Sequence, residues 1–478
     1  MKLKLLIIIM ISLFAINGVN AQANFSGVWS ATLKIAGNIR LILHVKQLPD
    51  ETYTATFDSP DQKTTGIQCD TIFILKDAAG SETLTFTINK YKVSYTGKLL
   101  NDTTLSGTFT QVANVPLDFH RGVVPPPPVV IRPQTPKPPF PYRSEEIVYN
   151  RNGLQYGGTI TIPQGSGKFP AILLITGSGQ QDRDETIFSH KPFAVLADAL
   201  TRDGFVVLRV DDRGIGNSTG NFEASTSADF AKDVNASLDY LRSRPEVNDK
   251  KLGLLGHSEG GMIAPMVASA RKDVKFIVLL AAPGVKIIDL MAEQNAAIMR
   301  SAGIDASFSE SFKPVYTQLI SIITSAPDSA SAMANGLPVL TRWQSTADTA
   351  NLRKLGFKTP DDNREYINEQ IAATSTPWFT YFIQFNPQPY LSKLKKIKVL
   401  ALNGSKDIQV VASQNLPAIQ SALIGGKTKK FEVKELPGLN HLFQACNLCT
   451  VAEYGKLQET ISPFALQTIT DWLNRNVK

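Results

Sequence analysis

Cysteine, tryptophan and histidine are scarce in this chain of 478 residues, at three, four and five. Three cysteines cannot build the disulfide framework that holds small secreted domains, so the fold has to rest on apolar cores. Five histidines leave few candidates for any imidazole chemistry. No stretch of 18 uninterrupted apolar residues occurs, which leaves no comfortable membrane-spanning helix. Excess charge is small as well: 49 Lys and Arg against 42 Asp and Glu leave +7, spread thinly, with Lys2 and Lys4 among it. Without a basic stripe no nucleic-acid partner is expected. Internal repeats are absent. What remains is ordinary globular composition, 43% hydrophobic and 19% charged, which excludes disorder and fibre for most of the chain. The length is enough for two to four domains.

Residues 1–21 read as a secretory signal. Lys2 and Lys4 supply the charged start, Leu5 to Ile16 the apolar stretch, and Val19 and Ala21 the small residues before a cut at Gln22. No cysteine follows that cut, which argues against a lipoprotein, and a periplasmic or secreted protein is expected. In an exported protein Cys446-Asn447-Leu448-Cys449 reads as a local disulfide or as two free thiols. A redox role would need a thioredoxin-like context, and zinc would need more ligands than His441 nearby. No cofactor and no metal are expected.

Residues 22–122 read as all-β. Leu41, Leu43 and Val45 alternate with other residues, and Leu84, Phe86 and Ile88 alternate with threonines. That period of two marks half-buried strands. Asn101-Asp102 between two such runs predicts a hairpin turn. A small barrel or sandwich is expected, and Phe25-Ser26-Gly27-Val28-Trp29 resembles the Gly-x-Trp opening of lipocalin-like barrels. Residues 123–143 are dense in proline and predict a semi-rigid spacer. From 144 to 478 the pattern becomes α/β. Ala171–Ile175, Val206–Val210, Leu252–Leu255, Phe276–Leu280 and Val399–Leu402 are short apolar runs suited to parallel strands buried on both faces. Phe230, Val234, Leu238 and Leu241 recur at helical spacing between two of them. Together they predict a doubly wound, mostly parallel sheet. A polar, Ser- and Ala-rich stretch of about 285–392 interrupts the alternation and reads as a helical cap inserted over the sheet.

Chemistry concentrates in the α/β part. Gly256-His257-Ser258-Glu259-Gly260 follows one apolar strand and precedes a helical run, the strand–turn–helix setting of a G-x-S-x-G nucleophile elbow. The bend strains the backbone at Ser258, and side chains at Gly256 and Gly260 would collide with its neighbours. Partners are expected in the order serine, acid, histidine. Asp407 follows the strand Lys398–Leu402, with Glu435 as the fallback acid, and His441 follows Lys430–Leu436. A turn aspartate capping the next helix is the plainer reading of Asp407. Among the histidines, His44 and His120 lie in the β part, His190 precedes a helix, and His257 adjoins the serine. Only His441 has the order and loop setting of a general base. Oxyanion donors are expected from the backbone of Glu259 and from Ser178 or Gly179, in the glycine-rich turn after Ala171–Ile175. The clusters Asp182-Arg183-Asp184-Glu185 and Asp211-Asp212-Arg213 read as ion pairs that fix loop shape rather than as substrate contacts. Trp343, Trp378, Phe379 and Phe382 in the cap are candidates for a substrate pocket, although aromatic clusters more often form plain core.

With these residues in place, the α/β part resembles the α/β-hydrolase superfamily, and most closely its bacterial EstD-type carboxylesterases, related to serine aminopeptidase-like hydrolases. The motifs that carry the resemblance are Gly177-Ser178-Gly179, Gln181–Glu185, Asp211–Gly214, Gly256–Gly261, Pro377-Trp378-Phe379 and Gly438–His441. The resemblance implies hydrolysis of short-chain carboxylic esters, an N-terminal β domain and a helical cap. The partner implied is a small-molecule ester or an acylated glycan. A serine peptidase of small peptides would use the same residues. A binding protein built on a spent hydrolase scaffold is disfavoured, because serine, acid and histidine are all present.

Overall fold

The computed structural model describes residues 25–34, 39–62, 64–77, 81–111, 114–122 and 132–478. The expected signal segment, 1–21, lies outside them, as does the start of the proline-rich segment. The chain divides into two compact units, Met1–Val129 and Val130–Lys478.

The first unit is a single antiparallel sheet of nine strands: β1 (Gly27–Leu33), β2 (Ile39–Gln47), β3 (Tyr53–Ser59), β4 (Thr64–Gln68), β5 (Thr71–Lys76), β6 (Glu82–Ile88), β7 (Val93–Asn101), β8 (Thr104–Thr110) and β9 (Asn114–Arg121). Their order is β4-β3-β2-β1-β9-β8-β7-β6-β5. The two edge strands are consecutive in the chain, so the sheet has to bend round until its edges approach. The link between them stitches the gap: Cys69 N–H bonds the Ala55 carbonyl on β3, and Asp70 N–H bonds the Thr87 carbonyl on β6. The architecture is thus barrel-like rather than a sandwich. The alternation read from sequence places Leu41, Leu43, Val45, Leu84, Phe86 and Ile88 inside, all buried. Side chains of this kind contribute about 1.5–3 kcal/mol each on full burial. The indole N–H of Trp29 reaches the Phe25 carbonyl at 2.7 Å, and the Tyr95 hydroxyl reaches the carbonyls of Leu105 and Leu117. Neither ring therefore carries an unsatisfied polar atom into the core. The hairpin turn falls on Asp102-Thr103, one residue later than predicted. Asn101 pairs with Thr104, and its side-chain oxygen accepts the N–H of Thr103.

The second unit begins with an antiparallel pair, β10 (Tyr142–Arg151) and β11 (Leu154–Pro163), which leads into β12 (Phe169–Ile175), α1 (Pro192–Arg202), β13 (Val206–Val210), α2 (Ser227–Ser243), β14 (Val247–His257), α3 (Glu259–Ala270) and β15 (Val274–Leu280). Seven helices follow: α4 (Ile287–Ser301), α5 (Ala306–Ser325), α6 (Ser329–Gln344), α7 (Thr349–Lys354), α8 (Pro360–Thr374), α9 (Pro377–Ile383) and α10 (Gln388–Leu391). The chain then closes with β16 (Lys398–Gly404), α11 (Ala412–Gly425), β17 (Lys430–Leu436), α12 (Val451–Tyr454) and α13 (Pro463–Asn476). Sheet order is β10-β11-β13-β12-β14-β15-β16-β17, and every neighbouring pair from β13 onward is parallel. The chain leaves β12 for β13 on one side and returns to β14 on the other. That reversal opens a crevice at the carboxyl ends of β12 and β14, the usual ligand position in such sheets. Helices cover both faces of the sheet. The seven-helix insertion has its own core around Phe308, Phe312, Tyr316 and Ile367.

Part of the expected spacer belongs to this unit instead. The buried guanidinium of Arg132 donates to the carbonyls of Leu457, Gly455 and Phe188 at 2.7–2.8 Å, and Gln134 bonds the backbone at Thr460 and Ile461. Proline density predicts an extended backbone but says nothing about an arginine between the prolines that finds three carbonyls. The structure joins Cys446 and Cys449 in a disulfide, one of the two readings open from sequence. Cys69 is free and buried, and burial pushes its thiol up to about 12.

Candidate active site

Ser258 sits where β14 turns into α3, with φ 52° and ψ −116°. This is the left-handed region, which a residue with a side chain occupies only under strain. Its N–H bonds the Leu280 carbonyl at the end of β15, and its hydroxyl caps no helical N–H. The glycines permit the bend for separate reasons. A methyl group on Gly256 would stand 2.1 Å from the Gly260 carbonyl, and one on Gly260 would stand 2.1 Å from the Ile175 carbonyl that ends β12. Helix α3 can start this close to two strand ends only without those atoms.

Asp407 and His441 converge from the loops after β16 and β17. His441 Nδ1 lies 2.8 Å from Asp407 Oδ2, and the Asp407 carboxylate is fully shielded from solvent. The two carboxylate oxygens have separate tasks. Oδ1 accepts the backbone N–H of Gln409 and Val410 at 2.8 and 2.9 Å, while Oδ2 faces the imidazole and, at 3.3 Å, the Asn403 amide. Asp407 thus shapes the turn through Oδ1 without capping the next helix, whose N-cap, Val411, receives no side-chain bond, while Oδ2 meets the imidazole. Glu435, the fallback acid, is exposed on β17. Asn440 shapes the histidine loop. Its side-chain oxygen takes the N–H groups of Leu442 and Gln444, and a bridge between Leu439 and Ala445 closes the base. The ring of His257, the residue before the nucleophile, lies 4.8 Å from the ring of His441, which brings the histidine loop against the elbow.

The turn after β12 runs beside them. A methyl group on Gly177 would come within 3.4 Å of Ser258 Cβ. The N–H of Gly177 is committed to Glu185 Oε1 at 2.6 Å. Among the described residues, the N–H groups of Ser178, Gly179 and Glu259 have no acceptor, which suits the oxyanion role expected of them. Asp212 spans the turn by accepting the Thr176 hydroxyl at 2.9 Å and the Gln181 N–H at 2.8 Å. Burial pushes its carboxyl up to about 7. Its two donors pull the other way, and the charges of Glu259 and Glu185 add to the rise.

The side chain of Glu259 is buried and accepts the Ser227 hydroxyl at 2.5 Å and the Trp378 indole N–H at 3.0 Å. Burial raises its pKa, partly offset by those two donors. This carboxylate ties both α2 and cap helix α9 to the elbow, a role the sequence did not reveal. A cavity beneath the turn is lined by Thr176, Gly177, Gly179, Asp212, Glu259 and Ile263.

The pocket candidates separate. Trp378 stacks on Phe382 at 4.9 Å and touches the elbow through Glu259, with Phe379 beside it. Trp343 does not belong with them. It packs among Phe308 and Phe312, and its indole N–H reaches the Ser311 hydroxyl at 2.9 Å. It is cap core, because a large ring with a nearby hydroxyl fills the middle of a helical bundle without cost. The charged clusters form ion pairs in part, while Asp182 and Asp212 take backbone N–H groups instead. Arg183 bonds Asp211 and Glu146, Arg209 bonds Asp184, and Arg213 bonds Asp233.

A family model described as serine aminopeptidase, S33, matches residues 189–350, a stretch that contains Ser258 and ends before Asp407 and His441. Esterase EstD of Thermotoga maritima is 33% identical over 170 residues, which are 36% of this chain and 40% of that protein. The uncharacterized protein PA2218 of Pseudomonas aeruginosa is 26% identical over 132 residues, 27% of this chain and 34% of that protein. The chain thus spans less than half the length of either curated relative. The crystal structure of the alpha/beta hydrolase GrgF from Penicillium superposes over 70% of this chain and 99% of that one, at 15% identity and a TM-score of 0.42.

Proposed function

We propose that this chain, an α/β-hydrolase similar to esterase EstD, cleaves short-chain carboxylic esters through an acyl-enzyme on Ser258. The observation that carries the reading is the buried Asp407–His441 pair, 2.8 Å apart, set against a strained serine elbow. A serine hydroxyl is a poor nucleophile at neutral pH. As its oxygen attacks the ester carbonyl, His441 Nε2 takes the proton and Asp407 steadies the imidazolium. Negative charge passes to the carbonyl oxygen, where the N–H of Glu259 and that of Ser178 or Gly179 receive it. Collapse expels the alcohol, which takes the proton back from His441. Water then repeats the sequence on the acyl-enzyme and frees the acid.

Peptide cleavage would use the same groups and would need an anionic anchor for the substrate's amino terminus. The candidates are Glu259 and the Asp182–Glu185 cluster, and all are already engaged: Glu259 by Ser227 and Trp378, Asp182 by backbone N–H groups, Asp184 by Arg209 and Lys191, and Glu185 by His257. The ester reading is therefore preferred. Turnover of p-nitrophenyl acetate and of aminoacyl p-nitroanilides by the purified chain decides between them. The acetate is expected to be cleaved and the anilides left intact, and the reverse order would reject the ester reading. Acetyl groups on a glycan are substrates of the same chemistry, and an acylated-sugar screen distinguishes them from simple esters.

Export completes the proposal. Residues 1–21 carry the charge and apolar pattern of a cleaved signal. The mature protein recovered from a secreting host is expected to begin at Gln22 by intact mass, and an uncut N-terminus would overturn this part.

A further inference from the structure

Ser258, His441 and Asp407 leave a second buried acid–imidazole pair beside them without a task. His257 Nδ1 lies 3.0 Å from Glu185 Oε1, and His257 Nε2 lies 3.0 Å from the backbone carbonyl oxygen of His441. Glu185 and His257 are 4% and 7% exposed, so neither contact is shared with bulk water. The same Glu185 oxygen accepts the N–H of Gly177 at 2.6 Å. One chain of contacts therefore runs from the turn after β12, through Glu185 and the residue preceding the nucleophile, to the backbone of the histidine loop.

The donors can be counted. A carbonyl oxygen only accepts, so Nε2 of His257 has to carry a proton. At the other end Nδ1 faces a carboxylate oxygen, and a proton has to lie between two such atoms at 3.0 Å. That proton rests either on His257, as an imidazolium opposite a carboxylate, or on Glu185, as two neutral groups, and in both forms the pair has no net charge. His190 makes the contrast. It is equally buried, but its nitrogens meet the Thr460 hydroxyl, the Tyr454 carbonyl and the Gln444 amide, with no carboxylate. Burial, reinforced by Arg132, holds the His190 pKa below the ordinary imidazole value. For His257 burial also opposes the charge. The Glu185 carboxylate, the His441 carbonyl and the more distant Asp407 outweigh it and leave the pKa raised.

We propose that Glu185 and His257 act as a positioning pair, in which a charged His257 braces the oxyanion turn through Glu185 and the His441 loop through its carbonyl. This deepens the serine-hydrolase reading and rests on it for the meaning of the two loops. The reacting bonds do not involve either residue. Their effect is to hold two groups used in the transition state, whose misplacement lowers kcat more than KM.

The test uses the full chain labelled with ¹⁵N-histidine and examined by NMR without substrate. At about pH 8, above the ordinary imidazole pKa, one of the five histidines is expected to show both ring nitrogens protonated. In Glu185→Gln that same residue is expected to become a neutral tautomer with its proton on Nε2. Turnover of p-nitrophenyl acetate, counted per serine titrated by an organophosphate, is expected to fall about 10–100-fold in Glu185→Gln with KM nearly unchanged. A His257→Gln variant that folds should lose the doubly protonated signal. The wild-type spectrum and the isosteric Glu185→Gln variant decide the matter if it does not. A neutral His257 in the wild-type chain at about pH 8 would overturn the proposal, and so would unchanged kcat per titrated serine in Glu185→Gln. A charged His257 in a chain that turns over no ester would instead sink the functional reading and leave the pair intact.

Discussion

Replacing Ser258 with alanine is expected to lower ester turnover by about 10⁶-fold, the scale seen when the nucleophile of such a site is removed. The loss has to come from chemistry and not from the fold. The Ser258 hydroxyl caps no helix, and alanine keeps the same Cβ at the same φ of 52°, so the backbone strain is unchanged. The melting temperature of Ser258→Ala should therefore match the parent within a few degrees. Residual catalysis about 10³–10⁴ above water would reflect the oxyanion donors, which remain. Assays of p-nitrophenyl acetate hydrolysis alongside thermal melts check both halves. Full activity in the variant would remove Ser258 from the mechanism.

The second large effect is expected at Asp407→Asn, with kcat lowered about 10⁴-fold. Two fixed donors force this outcome. The backbone N–H groups of Gln409 and Val410 both point at Oδ1, so the asparagine oxygen is held there. Its amide nitrogen then occupies the Oδ2 position and faces His441 Nδ1. An imidazole met by a donor at Nδ1 moves its proton to Nε2, where it can no longer take the serine proton. Shape and loop contacts stay almost intact while the base is set in the wrong tautomer. A kcat comparison under the same conditions checks it, and a loss of less than tenfold would mean that Asp407 serves the turn alone.

How much of this site could be read in the sequence depended on whether the chemistry was local. Gly256, Ser258 and Gly260 lie within five residues in a recognisable strand–turn–helix pattern, so the elbow could be read directly, although the clash that requires Gly260 is with the distant Ile175 carbonyl. Asp407 and His441 followed from chain order and from strands that end just before them. The Glu185–His257 link was hidden, because 72 residues separate the partners and Glu185 stands in a charged cluster where Arg183 and Asp184 form ion pairs. Trp343 and Trp378 look alike in sequence, and only packing sends one to the cap core and the other to the elbow. In the fold, period-two alternation marked the inward faces of the β unit. It carried no information on how nine strands close, which depends on contacts between β3, β6 and the link at Cys69-Asp70.

Trp378 carries one further consequence. Lifting α9 from the sheet would strip the buried Glu259 carboxyl of one of its two side-chain donors and leave it facing a single hydroxyl, at a cost of about 1–3 kcal/mol. The helix is thereby latched from below by the residue next to the nucleophile.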